Sequence, residues 1–407
     1  MIVPFGEVGT VPQLSVPRRR HAVGGPGDGW ELETGELAAT LFASLARRDQ
    51  RQKGEQYLRG LLETRGRKSM RNIAAHVGGQ AAEQSLHHFI SSSTWDWMPM
   101  REALATYLSE AQAPLAWVVG PTPIRKAGEQ SVGVDEGYDH CLRQNFHGQQ
   151  AFGVWYASER LTVPVHWRLH LPGSWLKDDR RRSRAEIPVA SGEETLAQCA
   201  TSAFDESVGG WRVAQRPVVL STYADRVDET VGRFTAAGLP VVVRVSGTSG
   251  LTVRDQALPG YGGRTLPAQR IVAAAKSLRR RVEWSAPSGG RGESLAVTVR
   301  VGAPGRAGDG EYALLGEWAD RDGSPSELWV TNMVNVPAAG LVRLTKLARR
   351  VCHDLALVGE GVGLRDFEGR SFRGWHRHIA LASAAYAISA VGGVGAGPAD
   401  HYAPRSA

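Results

Sequence analysis

The sequence predicts an α/β protein: a mixed β-sheet with helices, interrupted by a β-rich insertion and preceded by an all-helical segment. Three observations carry this. Apolar residues recur at helical spacing from Trp30 to about Glu110, strand-like runs alternate with helices from Ala116 to Val245, and a Ser/Gly/Pro-rich stretch separates these from two closing helices. At 407 residues the chain exceeds what one hydrophobic core usually organises, so two or three domains are expected.

Residues 1–28 carry Pro, Gly and the cluster Arg18-Arg19-Arg20 without periodicity, and are expected to form a loose tail. Residues 29–112 read as a helical domain, with one apolar stripe of Leu37, Leu41 and Leu45 and another of Tyr57, Leu58, Leu61 and Leu62. Within it, Met70–Val77, the pair Gly78-Gly79 and Gln80–Ile90 have the layout of a helix-turn-helix over about 70–90. On that reading Gln80, Gln84 and His87 face outward as base readers, while Arg67, Lys68 and Arg71 meet phosphates. An ordinary helical hairpin, with His87 and His88 capping or packing, is the other reading.

A sheet core is expected over 113–250 and 326–392. Its strands are Trp117–Val119, Gln150–Ala157, Val163–Leu169, Pro217–Leu220 and Leu239–Val245, with helices Glu193–Phe204 and Arg226–Ala237 between the last of them. Residues 251–325 form the insertion, with short strands at Ser294–Val301 and Tyr312–Trp318. After Glu327–Asn332, helices over Ala338–Val358 and Trp375–Ala390 close the core, and 393–407 read as a second loose tail.

Forty-eight Lys and Arg against 41 Asp and Glu give a net charge of +7, and the basic residues are overwhelmingly arginine. Guanidinium groups suit bidentate phosphate contacts, so a polyanionic partner is indicated, although arginine excess also follows from GC-rich coding. Arg180, Arg181 and Arg182 lie in the run Lys177–Arg184, either a phosphate-tracking loop or a solvated surface. Arg349, Arg350, Arg370, Arg373, His376, Arg377 and His378 read as a second basic surface, with Ser371 and Trp375 as capping and packing groups. No stretch of about 18 uncharged apolar residues could cross a bilayer. A start without the layout of a signal peptide and three widely spaced cysteines, Cys141, Cys199 and Cys352, suit a reducing cytoplasm, there associated with the nucleoid. His140, His147, His166 and His170 have no zinc spacing, and Gly260–Gly263 lacks the context of a phosphate loop.

The run Gly363-Leu-Arg-Asp-Phe-Glu-Gly-Arg-Ser-Phe-Arg-Gly-Trp-His-Arg-His378, followed by the small-residue apolar stretch Ile379–Val391, resembles the C-terminal signature of bacterial insertion-sequence transposases. The resemblance is to the insertion sequence 701 branch of the DDE superfamily. Further matching blocks include Tyr57–Leu62, Gly66–Ser69, Gln84–Phe89, Ser93–Asp96, Lys126, Ser131–Val134, Tyr156–Glu159 and Arg184–Pro188, so the resemblance runs from about residue 30 to 390. It implies an RNase H-like core with an insertion before the third acidic residue, a helical DNA-binding domain, double-stranded DNA as partner and, by analogy, a homodimer.

The resemblance also implies two-metal phosphoryl transfer, in which carboxylates hold two Mg²⁺ ions. Those three positions fall here on Pro121, counted back from Ser131–Val134; on Ser221, counted back from Gly238–Pro240; and on Cys352 in Arg349–Asp354. An imino acid, a hydroxyl and a thiol make a poor cage for a hard cation, so a degenerate site without metal or cofactor is expected. An active metal-dependent transposase stays open as the alternative, with Mg²⁺ held by Asp225 together with Asp354 or Glu360. Only Glu129 is acidic between Trp117 and Val134, which would leave Asp135 to serve as the first carboxylate.

Overall fold

The structure, a computed structural model, describes residues 28–395 apart from 140–143, 225, 260, 263–264, 287–289, 304–310 and 322. Nearly all of both expected tails, together with His140, Cys141 and Asp225, therefore lies outside the described residues. The chain opens with helices α1 (Asp28–Phe42), α2 (Arg48–Glu63), α3 (Met70–Val77), α4 (Gly79–Ser91) and α5 (Met98–Ala111). The stripe Leu37, Leu41 and Leu45 is buried, as are Tyr57, Leu58 and Leu61 on α2, so the helical spacing does reflect inward faces.

Next come strands β1 (Ala116–Arg125), β2 (Val134–Asp139), β3 (Gln144–Ala157) and β4 (Thr162–Leu169), and short helices α6 (Gly173–Leu176) and α7 (Asp179–Arg184). Helix α8 (Leu196–Asp205), strand β5 (Val218–Tyr223), helix α9 (Val227–Ala236) and strand β6 (Val241–Arg244) follow. Thr195 opens α8 with a capping box, its side chain accepting from Gln198 N–H while the Gln198 side chain accepts from Thr195 N–H. That device starts the helix three residues later than apolar spacing suggested.

Strand β3 pairs antiparallel with β1, β2 and β4, whereas β1, β5 and β6 run parallel. The order β4-β3-β1-β5-β6 is thus a mixed α/β sheet of the RNase H-like kind. Parallel strands need covered faces, and β1, β5 and β6 contain unbroken buried runs: Trp117–Val119, Val218–Leu220 and Val241–Val243.

The insertion contributes β7 (Gly250–Val253), β8 (Leu266–Pro267), α10 (Ala268–Ala274), β9 (Arg280–Ser285), β10 (Arg291–Gly302) and β11 (Tyr312–Trp318). It does not stand apart from the core. Strand β12 (Glu327–Thr331) pairs antiparallel with β6, β11 pairs with β12 and β10 with β11, so one sheet runs through both. Helix α11 (Ala338–Asp354) clasps this extension: buried Lys346 forms an ion pair with buried Glu317 of β11, whose carboxylate also accepts from Ser294 Oγ at 2.6 Å.

Helix α12 (Phe372–Gly395) seats the helical segment on the sheet. It is apolar nearly all round, with Trp375, Ile379, Leu381, Tyr386 and Ile388 buried, as suits a helix inside a core. Three consecutive polar residues on it, His376, Arg377 and His378, are at most 4 % exposed. This corrects the expectation of a basic surface for these three, since each bonds a different partner element. Arg101 of α5 donates to His376 Nδ1 and O, both at 3.1 Å, and to His166 Nδ1 (3.3 Å) and Trp167 O (3.0 Å) on β4. Arg377 donates to Ile90 O at the end of α4 and to Trp95 O, each at 3.1 Å. His378 donates from Nε2 to Gly363 O (2.9 Å), leaving Nδ1 to accept from Tyr57 OH of α2 at 2.8 Å.

Removing the Arg101 side chain leaves Trp167 O and His376 O without this donor inside the core. Arg101→Ala is expected to lower unfolding free energy by about 3 kcal/mol, read from urea denaturation. The three histidines give a pH signature. Burial pushes His166 and His378 down to about 4, and holds His376 well below its ordinary value with the Arg101 charge adding to the effect. Between pH 6.5 and 4 the unfolded chain therefore binds more protons than the folded one. The histidines' contribution to stability is full above pH 6.5 and is expected to fall as the pH drops through that window, seen as a falling urea midpoint.

Candidate functional site

Strand β1 carries the first position that the resemblance assigns to a carboxylate. Its ladder with β5 ends at Val119↔Leu220, and Trp117 N–H donates to Pro217 O on that side at 3.0 Å. By the two-residue alternation of a strand, the nitrogens of Pro121 and Pro123 face the same side, just past the end of pairing, where a missing N–H leaves no ladder bond unmade. Gly120 allows the close approach of β5: a Cβ there would lie 2.4 Å from Ser221 Oγ. Ser221 is half-buried and its hydroxyl donates back to Val119 O at 3.1 Å.

Beyond these strand ends lies a groove of about 600 Å³ lined by Pro121, Pro123 and Cys352, so segments 231 residues apart in sequence meet there. Four cations line it: Arg67 from the loop before α3, Arg125 and Lys126 at the end of β1, and Arg365. Three acids share the lining, Asp139, Glu360 and Asp366. Glu360 sits 3.6 Å from Arg365, and Asp366 accepts from Lys68 N–H at 2.7 Å. Asp354 does not reach the groove; it accepts from Thr162 Oγ1 of β4 at 2.8 Å and pairs with His353. Two residues on from Cys352, it is rotated by about 200° around α11.

Pro121 has no side-chain donor atom, the Ser221 hydroxyl is committed to Val119 O, and Cys352 offers sulfur. Among the described residues no three His, Cys, Asp or Glu side chains gather closely enough to hold a metal ion. This donor set does not fit a pair of Mg²⁺ ions, which require several oxygen ligands each.

The other expected contacts separate into distinct groups. Gln80, Gln84 and His87 are exposed along one face of α4, whose opposite face buries Leu86, Phe89 and Ile90. Arg71 is exposed; Arg67 is exposed and pairs with Glu368 at 3.1 Å. Lys68 is a correction: only 4 % exposed, it directs its ammonium to Thr64 O and cannot meet a phosphate as placed. On α7, Arg180 is exposed, while Arg182 donates to the carbonyls of Pro188, Val189 and Ser191 at 2.7–3.1 Å and so pins a loop. Arg181 lies 5.3 Å over the Trp175 ring and, with Arg184 and Arg370, lines a small cavity. Arg373 is exposed on α12, and Arg349 pairs with Glu327 at 2.9 Å. Sequence reasoning missed Arg125 and Arg365 in the groove. A pair of basic residues closing the strand that carries Pro121 was the available signal for the first.

The profile described as DDE superfamily endonuclease matches residues 40–303, more than half of the 407-residue chain. The chain belongs to this DDE superfamily endonuclease family. No curated protein matches it. In this DDE superfamily member the matched stretch includes β1 and β5, with Pro121 and Ser221, and stops before α11 and Cys352. No helix among the described residues is long and apolar enough to cross a membrane.

Lys126 provides a test of the groove's electrostatics. Its ammonium donates to Arg365 O (3.0 Å) and Phe367 O (2.7 Å), and burial, with Arg67 adding to it, pushes its pKa down to about 8 against the pull of Asp366 and Glu368. Between pH 8 and 10.5 the unfolded chain holds more protons at this group, so its contribution makes stability rise with pH. Lys126→Met is expected to flatten that rise, measured as the unfolding free energy at about pH 7.5 and about pH 10.

Proposed function

We propose that this chain is a DNA-binding protein on an insertion sequence 701-type transposase scaffold, with a degenerate catalytic site and double-stranded DNA as its partner. The observation that carries this is the composition of the groove at the sheet edge. The positions assigned to carboxylates are Pro121, Ser221 and Cys352, and cations outnumber acids around two of them, four to three. In a metal-dependent transposase, divalent ions offset phosphate charge at this edge. Here Arg67, Arg125 and Arg365 supply positive charge directly, and guanidinium groups bind phosphate oxygens in bidentate fashion without a metal. The exposed face of α4, with Gln80, Gln84 and His87, supports a helix-turn-helix reader.

The competing reading is strand transfer by an active enzyme, with Asp225 and Glu360 holding Mg²⁺. Glu360 lines the groove, which is what favours that reading. Asp354 is drawn to Thr162 instead, which weakens it.

Mobility-shift and plasmid assays separate the two. Duplex DNA is expected to bind equally well in EDTA and in Mg²⁺, with affinity falling steeply as salt rises. Arg67→Ala with Arg125→Ala is expected to flatten the plot of log affinity against log salt by about 1.8 units, roughly 0.9 for each phosphate no longer neutralised. Supercoiled plasmid is expected to stay intact in Mg²⁺ or Mn²⁺. Metal-dependent nicking that disappears in Asp225→Ala or Glu360→Ala would establish the active enzyme.

A further inference from the structure

Helix α7 and the start of α12 bring three arginines round one small cavity. Arg181, Arg184 and Arg370 line it with Glu129, Gln130 and Trp175, and the segments that supply them, 126–133, 173–187 and 365–372, are described throughout. Phe372 N–H donates to Ala185 O at 2.8 Å, which ties the residue after Arg184 to a residue just past Arg370. The turn leaving α7 is strained: Glu186, with φ +54°, alone among the described residues other than glycine takes a left-handed conformation. Arg181 lies over the Trp175 ring, and Trp175 Nε1 is itself held by Val134 O at 2.8 Å.

How far each guanidinium is already engaged decides what the cavity can take. Arg181 has Glu129 and Asp178 at 3.8 Å each, beyond direct hydrogen-bond reach. Arg184 donates from Nη1 to the neutral Oε1 of Gln130 at 3.2 Å. Arg370 is exposed and forms no ion pair among the described residues. A guanidinium carries several N–H donors in a planar fork, so these contacts leave donors for an anion. Size selects which anion. The cavity encloses about 30 Å³, room for about two water-sized groups, which suits the two free oxygens of a phosphodiester and excludes a base.

The cavity adjoins the groove. Ala127 lines the groove and Glu129 the cavity, and two residues of chain span at most about 7 Å. Bonds from the Lys126 ammonium to Arg365 O and Phe367 O hold the two segments that join groove and cavity against each other. A DNA strand advances about 3.4 Å per nucleotide, so a strand leaving the groove reaches the cavity within about two nucleotides.

We propose that Arg181, Arg184 and Arg370 together seat one backbone phosphate of the duplex that occupies the groove. The inference rests on the reading of the groove as a DNA site. Within Lys177–Arg184 the contact belongs to Arg181 and Arg184, since Arg182 is spent on the carbonyls of Pro188, Val189 and Ser191. One shared phosphate has its own signature: removing two of the three cations costs one phosphate's worth of salt dependence, not two.

The probe is a fluorescein-labelled blunt duplex followed by anisotropy from about 0.05 to about 0.3 M salt. Arg184→Gln with Arg370→Gln is expected to flatten the plot of log affinity against log salt by about 0.9, which is about eightfold in affinity at 0.1 M when counted from 1 M. Arg343→Gln removes the same charge from an exposed residue that shares a pocket with Leu115, just before β1 and so at the opposite strand end. Its affinity is expected to stay within about twofold of the parent. Arg184→Lys with Arg370→Lys keeps the charge and is expected to keep the slope.

An unchanged slope in the double Gln variant overturns the seat, as does an equal loss in Arg343→Gln. A loss of about 1.8 means two separate phosphates and overturns the shared seat as well. If Arg67→Ala with Arg125→Ala flattens the slope and the double Gln variant does not, the seat alone falls and the groove reading stands. If only the double Gln variant acts, the groove reading falls and the seat stands. Thermal melts matching the parent keep the comparison free of folding defects; should the double variant melt early, Arg370→Gln alone carries the test, and unchanged affinity there overturns the seat.

Discussion

Everything in this molecule depends on how α12 is held. A helix apolar nearly all round is a generic object that could slide or rotate in a greasy core. Three adjacent buried polar residues remove that freedom: His376 accepts from Arg101 of α5, Arg377 reaches the end of α4, and His378 accepts from Tyr57 of α2. Each bond is directional, and each buried partner left unpaired would be costly, so one seating of the helical segment on the sheet is preferred. Arg101 adds the sheet itself through Trp167 O and His166, and His166 in turn lies 2.8 Å from Glu206 just after α8. Neutral imidazoles are what this arrangement requires, because both Nδ1 atoms facing Arg101 must accept.

That seating decides the site. Arg67 precedes α3, yet it lines the same groove as Arg125, at the end of β1, and Cys352, on α11. Lys68 is the anchor between them: its backbone N–H bonds Asp366, its ammonium bonds Thr64 O, and its buried stem presses on Gly363, where a Cβ would come within 2.5 Å. Gly363 also has φ +73°, a left-handed conformation that favours glycine. The residue that looked like a phosphate contact is instead a fastener that places its neighbour, Arg67, at the groove.

Local pattern made much of the scaffold legible, and distance in sequence hid the rest. The unbroken apolar runs at the start of β1 and the end of β3, and the leucine stripes of α1 and α2, are written in windows of about ten residues. Pairing between β6 and β12 is not, because 82 residues lie between Arg244 and Glu327 and nothing local names the partner. The same blindness applies to charge. His376, Arg377 and His378 looked like surface from their chemistry, and only the partners from α2, α4 and α5 explain their burial. In the groove, Pro121, Ser221 and Cys352 could be proposed by register against the family's blocks, whereas Arg125 and Arg365 acquire meaning only when three segments converge.

The continuity of the sheet limits how such a scaffold can be shortened. In many proteins an inserted unit can be trimmed away, leaving its host intact. Here β6 owes one of its two flanks to β12, and β12 owes one of its own to β11, so the chain's later third completes a ladder begun in its middle. A shortened gene product ending near residue 303 would leave the buried run Val241–Val243 beside a row of unmet backbone groups, a sticky template for its own copies. Side chains at the sheet edge can change one codon at a time under those terms, whereas the ladder from β6 through β12 to β11 cannot be shortened without exposing its middle.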